Sequence, residues 1–286
     1  MDETPRTDNE QAALWNGPAG RAWVDAQASL DRLFRPFEDR LAAAVRDAGA
    51  HRVLDVGCGT GSTTLAVARA IDAPEEAGAC KGIDISAPMI ATARARAGSE
   101  GSAAQFIVAD AQTHAFAPAS LDMIVSRFGV MFFDDPVAAF SNLRRATREG
   151  GKLCVIAWRS PAENPFMTTA ERAAGPLLPD LPARKPDGPG QFAFADRQRV
   201  VALLEASGWS GIDIQPLDVD CRLPAAELAG YYTRLGPVGV ALLEADASLR
   251  ARVTEALRAA FAVYVHGDEA RFTAACWMIE AQAPAS

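Results

Sequence analysis

The stretch HRVLDVGCGTGSTT (residues 51–64) joins an apolar run, three alternating glycines and a helix-like continuation. Gly57, Gly59 and Gly61 follow VLDV and precede STTLAVARAI. A strand, a glycine turn and a helix in that order form the first half of a βαβ unit. A phosphate clamp of this shape needs a lysine directly after its last glycine. Here Ser62 follows Gly61, and the next lysine is Lys81. A dinucleotide loop uses G-x-G-x-x-G/A. The spacing here is G-x-G-x-G, with Ser62 left to stand in for the third small residue.

Asp55 lies inside the apolar run, two residues before Gly57. An acid beneath the loop repels phosphates and suits a ligand bearing an ammonium and a sulfonium. At 4–6 Å such an attraction is worth about 1 kcal/mol or more when partly desolvated. A carboxylate accepting N–H groups of its own loop is the structural alternative, and both roles are compatible. Asp84 closes the second apolar run, KGIDI, where a carboxylate can accept both hydroxyls of a ribose. Asp110 ends the third, in VADAQ, where it can accept from an adenine amine while the Ala111 N–H meets a ring nitrogen. Three acids at successive strand ends point to a nucleoside held at the carboxyl edge of a sheet.

Outward from residue 51, strands and helices alternate. RVLDV, KGIDI, QFIVA, SLDMIVS and KLCVIAW read as five strands. Ser86 caps a helix with Pro88 in its first turn, and Asp135–Pro136 open another that Gly150 and Gly151 close. Such alternation implies a parallel sheet covered on both faces. Residues 1–12 read as disordered, and a helix is expected to begin near Pro36. Residues 161–195 hold prolines at 161, 165, 176, 179, 182, 186 and 189, and read as a structured loop or lid. Asp196 caps a helix with Val200, Val201 and Leu204 inward; WSGIDIQPLDVDC is a sixth strand and RFTAACWMIEAQ the last. Residues 224 to about 265 read as helical around a break at GPVG, 236–239. The expected organisation is a cap segment (1–50), a nucleoside-binding core (51–160), the lid (161–195) and a completion of the sheet (196–286) with a helical insertion at about 224–265.

The net charge of −8 lacks the basic surplus of a nucleic-acid binder, so no nucleic-acid partner is expected. Five cysteines without C-x-x-C spacing read as reduced, buried thiols. The first residues carry no apolar leader and no run is long enough for a membrane span. The expectation is a cytoplasmic monomer or homodimer.

With VLDVGCGTG, GIDIS, VADAQ and SRFGVMFF in this order, the chain resembles the class I S-adenosylmethionine-dependent methyltransferases, and among them small-molecule enzymes of the quinone-biosynthesis group. The resemblance covers residues 50–160. It implies a Rossmann-like α/β fold: a seven-stranded, mostly parallel sheet with an antiparallel last strand between the fifth and sixth, helices on both faces, and a helical cap. It implies S-adenosylmethionine as cofactor and S-adenosylhomocysteine as product. Gly57, Cys58, Gly59, Thr60 and Gly61 then approach the methionine part, and Asp55 faces its amino group. Asp84 holds the ribose, Ile85 and Met89 flank the adenine, and Asp110 with Ala111 reads the adenine edge. Ser126 offers its carbonyl to the amino group, Arg127 and Phe128 lie near the reacting methyl, and Trp15 and Trp23 close over the cofactor. The N/D-P-P-Y/F motif of amino-methylating enzymes is absent after the fourth strand, where SRFG stands. No acidic cluster of the metal-dependent catechol type is evident, so no metal is expected.

For the chemistry itself, His114 is the candidate base and Arg127 the candidate anion contact, beside catalysis by proximity alone. Phe128, Met131, Phe132, Phe166, Phe194, Tyr231 and Tyr232 are candidates to line an apolar or aromatic acceptor site. Two other functions stay open: an NAD-dependent oxidoreductase, and a non-catalytic sensor or partner subunit that binds the same cofactor.

Overall fold

In the computed structural model, which describes residues 10–71, 79–184 and 188–285, the run VLDV is β1 (Val53–Val56), buried at every residue. It continues through the glycine loop into α4 (Ser62–Ala70), preceded in the chain by α1 (Glu10–Asn16), α2 (Pro18–Asp25) and α3 (Gln27–Asp47). Then follow β2 (Cys80–Asp84), α5 (Ala87–Glu100), β3 (Gln105–Val108), β4 (Leu121–Arg127), α6 (Pro136–Ala146) and β5 (Thr147–Trp158). The chain closes with α7 (Pro165–Ala174), α8 (Arg197–Ala206), β6 (Ser210–Pro224), α9 (Ala225–Arg234), α10 (Gly236–Glu244), α11 (Ala247–Phe261), β7 (Val265–His266) and β8 (Glu269–Gln282).

The strands lie in the order β3-β2-β1-β4-β5-β8-β6, with the two-residue β7 beside β8. β1 to β5 pair in parallel, and β8 runs antiparallel to both β5 and β6. The expected inserted last strand is therefore present, and β7 adds an eighth strand to the seven expected. Strand order reverses between β1 and β4. Right-handed crossovers then place α4 and α5 on one face and α6 on the other, and open a crevice at the carboxyl ends of β1 and β4.

Several elements differ from the sequence reading. The helix expected to begin at Pro36 begins at Gln27, with Pro36 inside it. A mid-helix proline forfeits one backbone hydrogen bond. Here one apolar face (Leu30, Leu33, Phe34, Phe37, Leu41, Val45) is buried on both sides of Pro36 and outweighs that loss. Residues 10–12 are helical; the expected disorder over 1–9 and Pro186 lie outside the described residues. Gly150 and Gly151 do not end α6, which stops at Ala146. They lie in β5, where Gly150 (φ +70°) donates to the Ala283 carbonyl and the Gly151 carbonyl accepts from Ala283. The proline-rich segment contains a ten-residue helix, α7. The break expected at GPVG falls at Leu235, because Pro237 suits the first turn of α10.

β8 pairs with β5 only from Cys276 onward, whereas its pairing with β6 continues to Glu269 and Pro224. The β6–β8 pair thus projects past the sheet as a two-stranded arm, on which α9 packs, with α7 against α11 beside it.

Candidate functional site

The crevice is bounded by the glycine loop after β1 and the loop after β4. Both Gly57 and Cys58 donate their N–H to the Ile83 carbonyl, at 2.8 and 3.1 Å, which turns the loop across β2. Gly57 has φ +66°, and a Cβ there would meet the Cα of Gly129 at 2.5 Å. The two loops therefore touch backbone to backbone. Gly61 (φ +86°) starts α4, and its Cβ would meet Ala93 at 2.9 Å and the Phe106 ring at 3.0 Å. Gly129 belongs to no spaced glycine motif. Its only signal is a glycine at the end of a strand, beside the loop that needs the space.

The three acids form a staircase. Asp55 stands level with Gly82 on β2, two residues short of Asp84; Asp84 stands level with Val108 on β3, two residues short of Asp110. Asp55 is buried, accepts from the Thr64 hydroxyl at 2.7 Å through Oδ2, and leaves Oδ1 without a partner. Burial pushes its carboxyl up to about 7, against the hydrogen bond from Thr64 and the charge of Arg127. Its partner is thus a helix hydroxyl, where loop N–H groups were the structural alternative. Asp84 accepts from Gly59 N–H through Oδ2 and from Ser86 N–H through Oδ1, both at 2.8 Å. Burial raises its carboxyl, opposed by the N–H groups of Ser86, Gly59 and Ile85. Asp110 accepts from Gln112 N–H at 2.8 Å. Ala111 is buried and its carbonyl accepts from Asn142, which also holds the His114 carbonyl.

Ser126 spans the crevice: its hydroxyl donates to the Val56 carbonyl at 2.7 Å and accepts from Gly129 N–H at 3.1 Å. Phe128 follows in the left-handed region, φ +66°, a conformation that costs a non-glycine residue and marks functional loops. It is buried and stacked on Trp158 at 4.5 Å, edge-on to Phe34 and Phe37. Arg127, expected to meet an anionic group, already pairs with Glu38 of α3 and lies over the Phe34 ring at 5.5 Å. His114 packs edge-on against Phe116 at 4.7 Å.

The N-terminal helices lie along the same edge. Trp15 is edge-on to Trp23 at 6.1 Å and to Phe132 at 5.2 Å. Its carbonyl accepts from the Ser86 hydroxyl, and Ile85 and Ala87 bond the Asn16 side chain. Met89 is buried, with its sulfur 3.7 Å from where a Cβ of Gly59 would stand.

The residues expected to line one acceptor site share one hydrophobic core but meet different partners within it. Phe128 and Phe132 belong to the crevice, and the buried Met131 accepts from Gly190 N–H. Phe194 packs on Phe140 of α6. Phe166 stacks on Phe272 at 3.7 Å and meets Tyr231, while Tyr232 stacks on Phe261 at 5.0 Å. Phe166 and the two tyrosines pack where α7, α9 and α11 meet the β6–β8 arm. All five cysteines are buried and unpaired. Among the described residues no helix is long and apolar enough to cross a membrane.

Residues 53–151 match the family model described as the methyltransferase domain. An uncharacterized protein of Mycobacterium tuberculosis is 32% identical over 158 residues, 55% of this chain and 55% of its own length. The chain thus spans about half the length of that curated relative. A demethylmenaquinone methyltransferase of Renibacterium salmoninarum is 28% identical over 226 residues, covering 76% of this chain and 90% of that one. Among solved structures, Haemonchus contortus phosphoethanolamine N-methyltransferase 2, in complex with phosphomonomethylethanolamine and S-adenosylhomocysteine, aligns with a TM-score of 0.57. The identity is 16%, over 99% of this chain and 62% of that one, a likeness of fold.

Proposed function

We propose that the chain carries a class I S-adenosylmethionine-dependent methyltransferase domain and transfers the methyl group of S-adenosylmethionine to a small, apolar or aromatic metabolite; the methyltransferase-domain match over residues 53–151 and the Renibacterium relative support the reading. One observation carries the reading. The orphaned Oδ1 of buried Asp55 lies beneath a glycine loop that has no lysine, and Gly59 of that loop is fastened to Asp84. This is a cradle of acceptors, suited to an ammonium and to ribose hydroxyls and unsuited to a pyrophosphate. It weighs against a nicotinamide dinucleotide. The close approach of Gly57 to Gly129 and the stepped carboxylates fit the group.

When bound, S-adenosylmethionine supplies a methyl group already activated on a sulfonium. The work left to the protein is binding, orientation and exclusion of water. Asp84 would take the ribose, Asp110 and Ala111 the adenine edge, and Asp55 the amino end. Trp15, Trp23 and Phe132 would cover the site. Holding an acceptor in line with the methyl can supply about 7–11 kcal/mol of the barrier. Arg127 is neutralised by Glu38 and balances Asp55, so it acts on the cradle more than on the acceptor.

Calorimetry with S-adenosylhomocysteine tests the reading. The wild-type protein should bind, and Asp84→Ala should weaken binding about 10–100-fold, the worth of hydrogen bonds to a charged group. No binding by the wild-type protein would overturn the proposal. The name of the Renibacterium relative makes a demethylmenaquinone the first acceptor to assay, with mass spectrometry for a product 14 Da heavier.

A further inference from the structure

The N-terminal helices grip the cradle from two sides, through residues that no motif marks. On one side the Asn16 amide makes a two-point clasp on the turn after β2. Nδ2 donates to the Ile85 carbonyl at 3.0 Å, and Oδ1 accepts from Ala87 N–H at 2.9 Å. Between these contacts the buried Ser86 hydroxyl donates to the Trp15 carbonyl at 2.7 Å. The same turn supplies the Ser86 N–H that fixes Asp84. α2 crosses here at Gly20, where a Cβ would stand 1.8 Å from the Trp15 carbonyl oxygen.

On the other side Arg96 of α5 reaches across the loop. Its Nη1 donates to the Thr60 carbonyl at 2.8 Å, and its Nη2 pairs with Asp31 of α3 at 2.8 Å. Arg96 and Asp31 are only 21% and 19% exposed, so water screens this pair less than a surface pair. Gln27 donates to the same Asp31 carboxylate. Asp84 itself joins the two grips, because its carboxylate bonds both Ser86 and Gly59.

We propose that Asn16 and Arg96 are positioning residues of the cofactor site, through which residues 10–31 form an integral wall of it. The inference rests on the cofactor reading above. The ribose carboxylate and the glycine loop both sit on turns, and turns without outside partners sample many conformations. Fixing both from one helical segment lowers the ordering cost of binding. The coupling is reciprocal, so a ligand that needs both turns in place also holds the N-terminal segment closed.

The test combines calorimetry with trypsin digestion at Arg21, an exposed residue of α2. S-adenosylhomocysteine should slow cleavage at Arg21 in the wild-type protein. Asn16→Ala and Arg96→Gln should each raise its Kd up to about tenfold, the worth of a net hydrogen bond, and should lose the protection. The melting temperature of the ligand-free protein should stay close to wild type. Arg96→Lys, which keeps one donor and the charge, should recover part of the affinity. Should an alanine variant unfold, Asn16→Asp, of the same shape but lacking the donor, carries the test. Wild-type binding with variants within twofold of it and protection intact would overturn the inference alone. No binding by the wild-type protein would overturn the cofactor reading and this inference with it.

Discussion

Two buried aspartates on neighbouring strands show how the two ends of one sheet differ. Asp122 sits near the start of β4, beside Arg52 at the entrance to β1. It accepts from His51 N–H (3.1 Å), Arg52 N–H (2.8 Å), the Arg52 guanidinium (2.9 Å) and the Arg148 Nε (2.8 Å). Asp55 lies three residues further along β1, about 10 Å at the rise of a strand, and has one donor, Thr64. Burial raises both carboxyls. At Asp122 the donors from Arg52, Arg148 and His51 outweigh it and hold the group well below the usual carboxylate range; at Asp55 they do not. Buried polar groups are normally satisfied, so an acid left short of donors marks a place where a missing partner arrives from outside. The amino edge is finished within the fold, and the carboxyl edge leaves an acceptor of Asp55 open.

Asp55 gives the largest expected effect. Its folded pKa is raised to about 7 from 3.8. Its contribution is therefore full while it is protonated, below about pH 4, and is lost as pH rises through 7. At about 1.4 kcal/mol per pK unit, the shift amounts to up to roughly 4 kcal/mol above pH 7. Urea unfolding of the ligand-free protein should show stability falling between pH 4 and 8. Asp55→Asn should remove most of that fall, so that the variant exceeds wild type at pH 8 and converges with it near pH 4. A cationic ligand favours the ionised form, so binding near pH 6.5 should release a proton, seen as a buffer-dependent heat. A wild-type stability that is level across this range would break the contrast between the two edges.

Asp122 should behave with the opposite sign. A depressed pKa gives stability that is present above about pH 3.9 and lost as pH falls through the folded value. The side chains of Arg52 and Arg148 are 52% and 48% exposed, which discounts the pair toward the surface case. Asp122→Asn should cost about 2 kcal/mol at pH 7, and the cost should shrink steadily as pH falls below about 4. The affinity of the folded variant for S-adenosylhomocysteine should match wild type. A loss of affinity would show that the amino edge also serves the site.

How much of this was legible in the sequence follows the range of the interactions. The glycine loop and the strands announced themselves through local period and spacing, and the place of β8 through the resemblance. The start of α3 did not, because an apolar face overrode the local rule for Pro36. Gly150 and Gly151 read as a helix end until β5 pairing with Ala283 showed their use. Within the site, Asp55, Asp84 and Asp110 were visible as acids at strand ends. Their partners were not: Asn16 meets a turn 69 residues away and Arg96 a loop 36 residues away, distances that leave no sequence pattern. The aromatic candidates are ambiguous for a related reason. Phe166, Tyr231 and Tyr232 are the types that line pockets and also the types that build cores, and their ring contacts with one another, Phe272 and Phe261 have no local sequence pattern.

The smallest expected effect isolates the one donor Asp55 has among the described residues. Thr64 is fully buried, and Thr64→Val keeps its shape while removing the hydroxyl. The carboxylate then has no donor at all, so its pKa rises further and ionisation costs more. The added loss should be about 1 kcal/mol at pH 8, the net worth of a buried hydrogen bond, and should shrink at pH 5, where Asp55 is already protonated in the folded state. In an Asp55→Asn background the same substitution should lose its pH dependence, and the difference between the two backgrounds measures the coupling directly. Saturating S-adenosylmethionine should reduce the loss at pH 8, because the ligand's ammonium takes over what the hydroxyl did. If Thr64→Val costs the same at pH 5 and pH 8 in both backgrounds, the hydroxyl is packing alone. Asp55 would then be as finished within the fold as Asp122, and the case for a ligand completing the carboxyl edge would have to rest on Asp84.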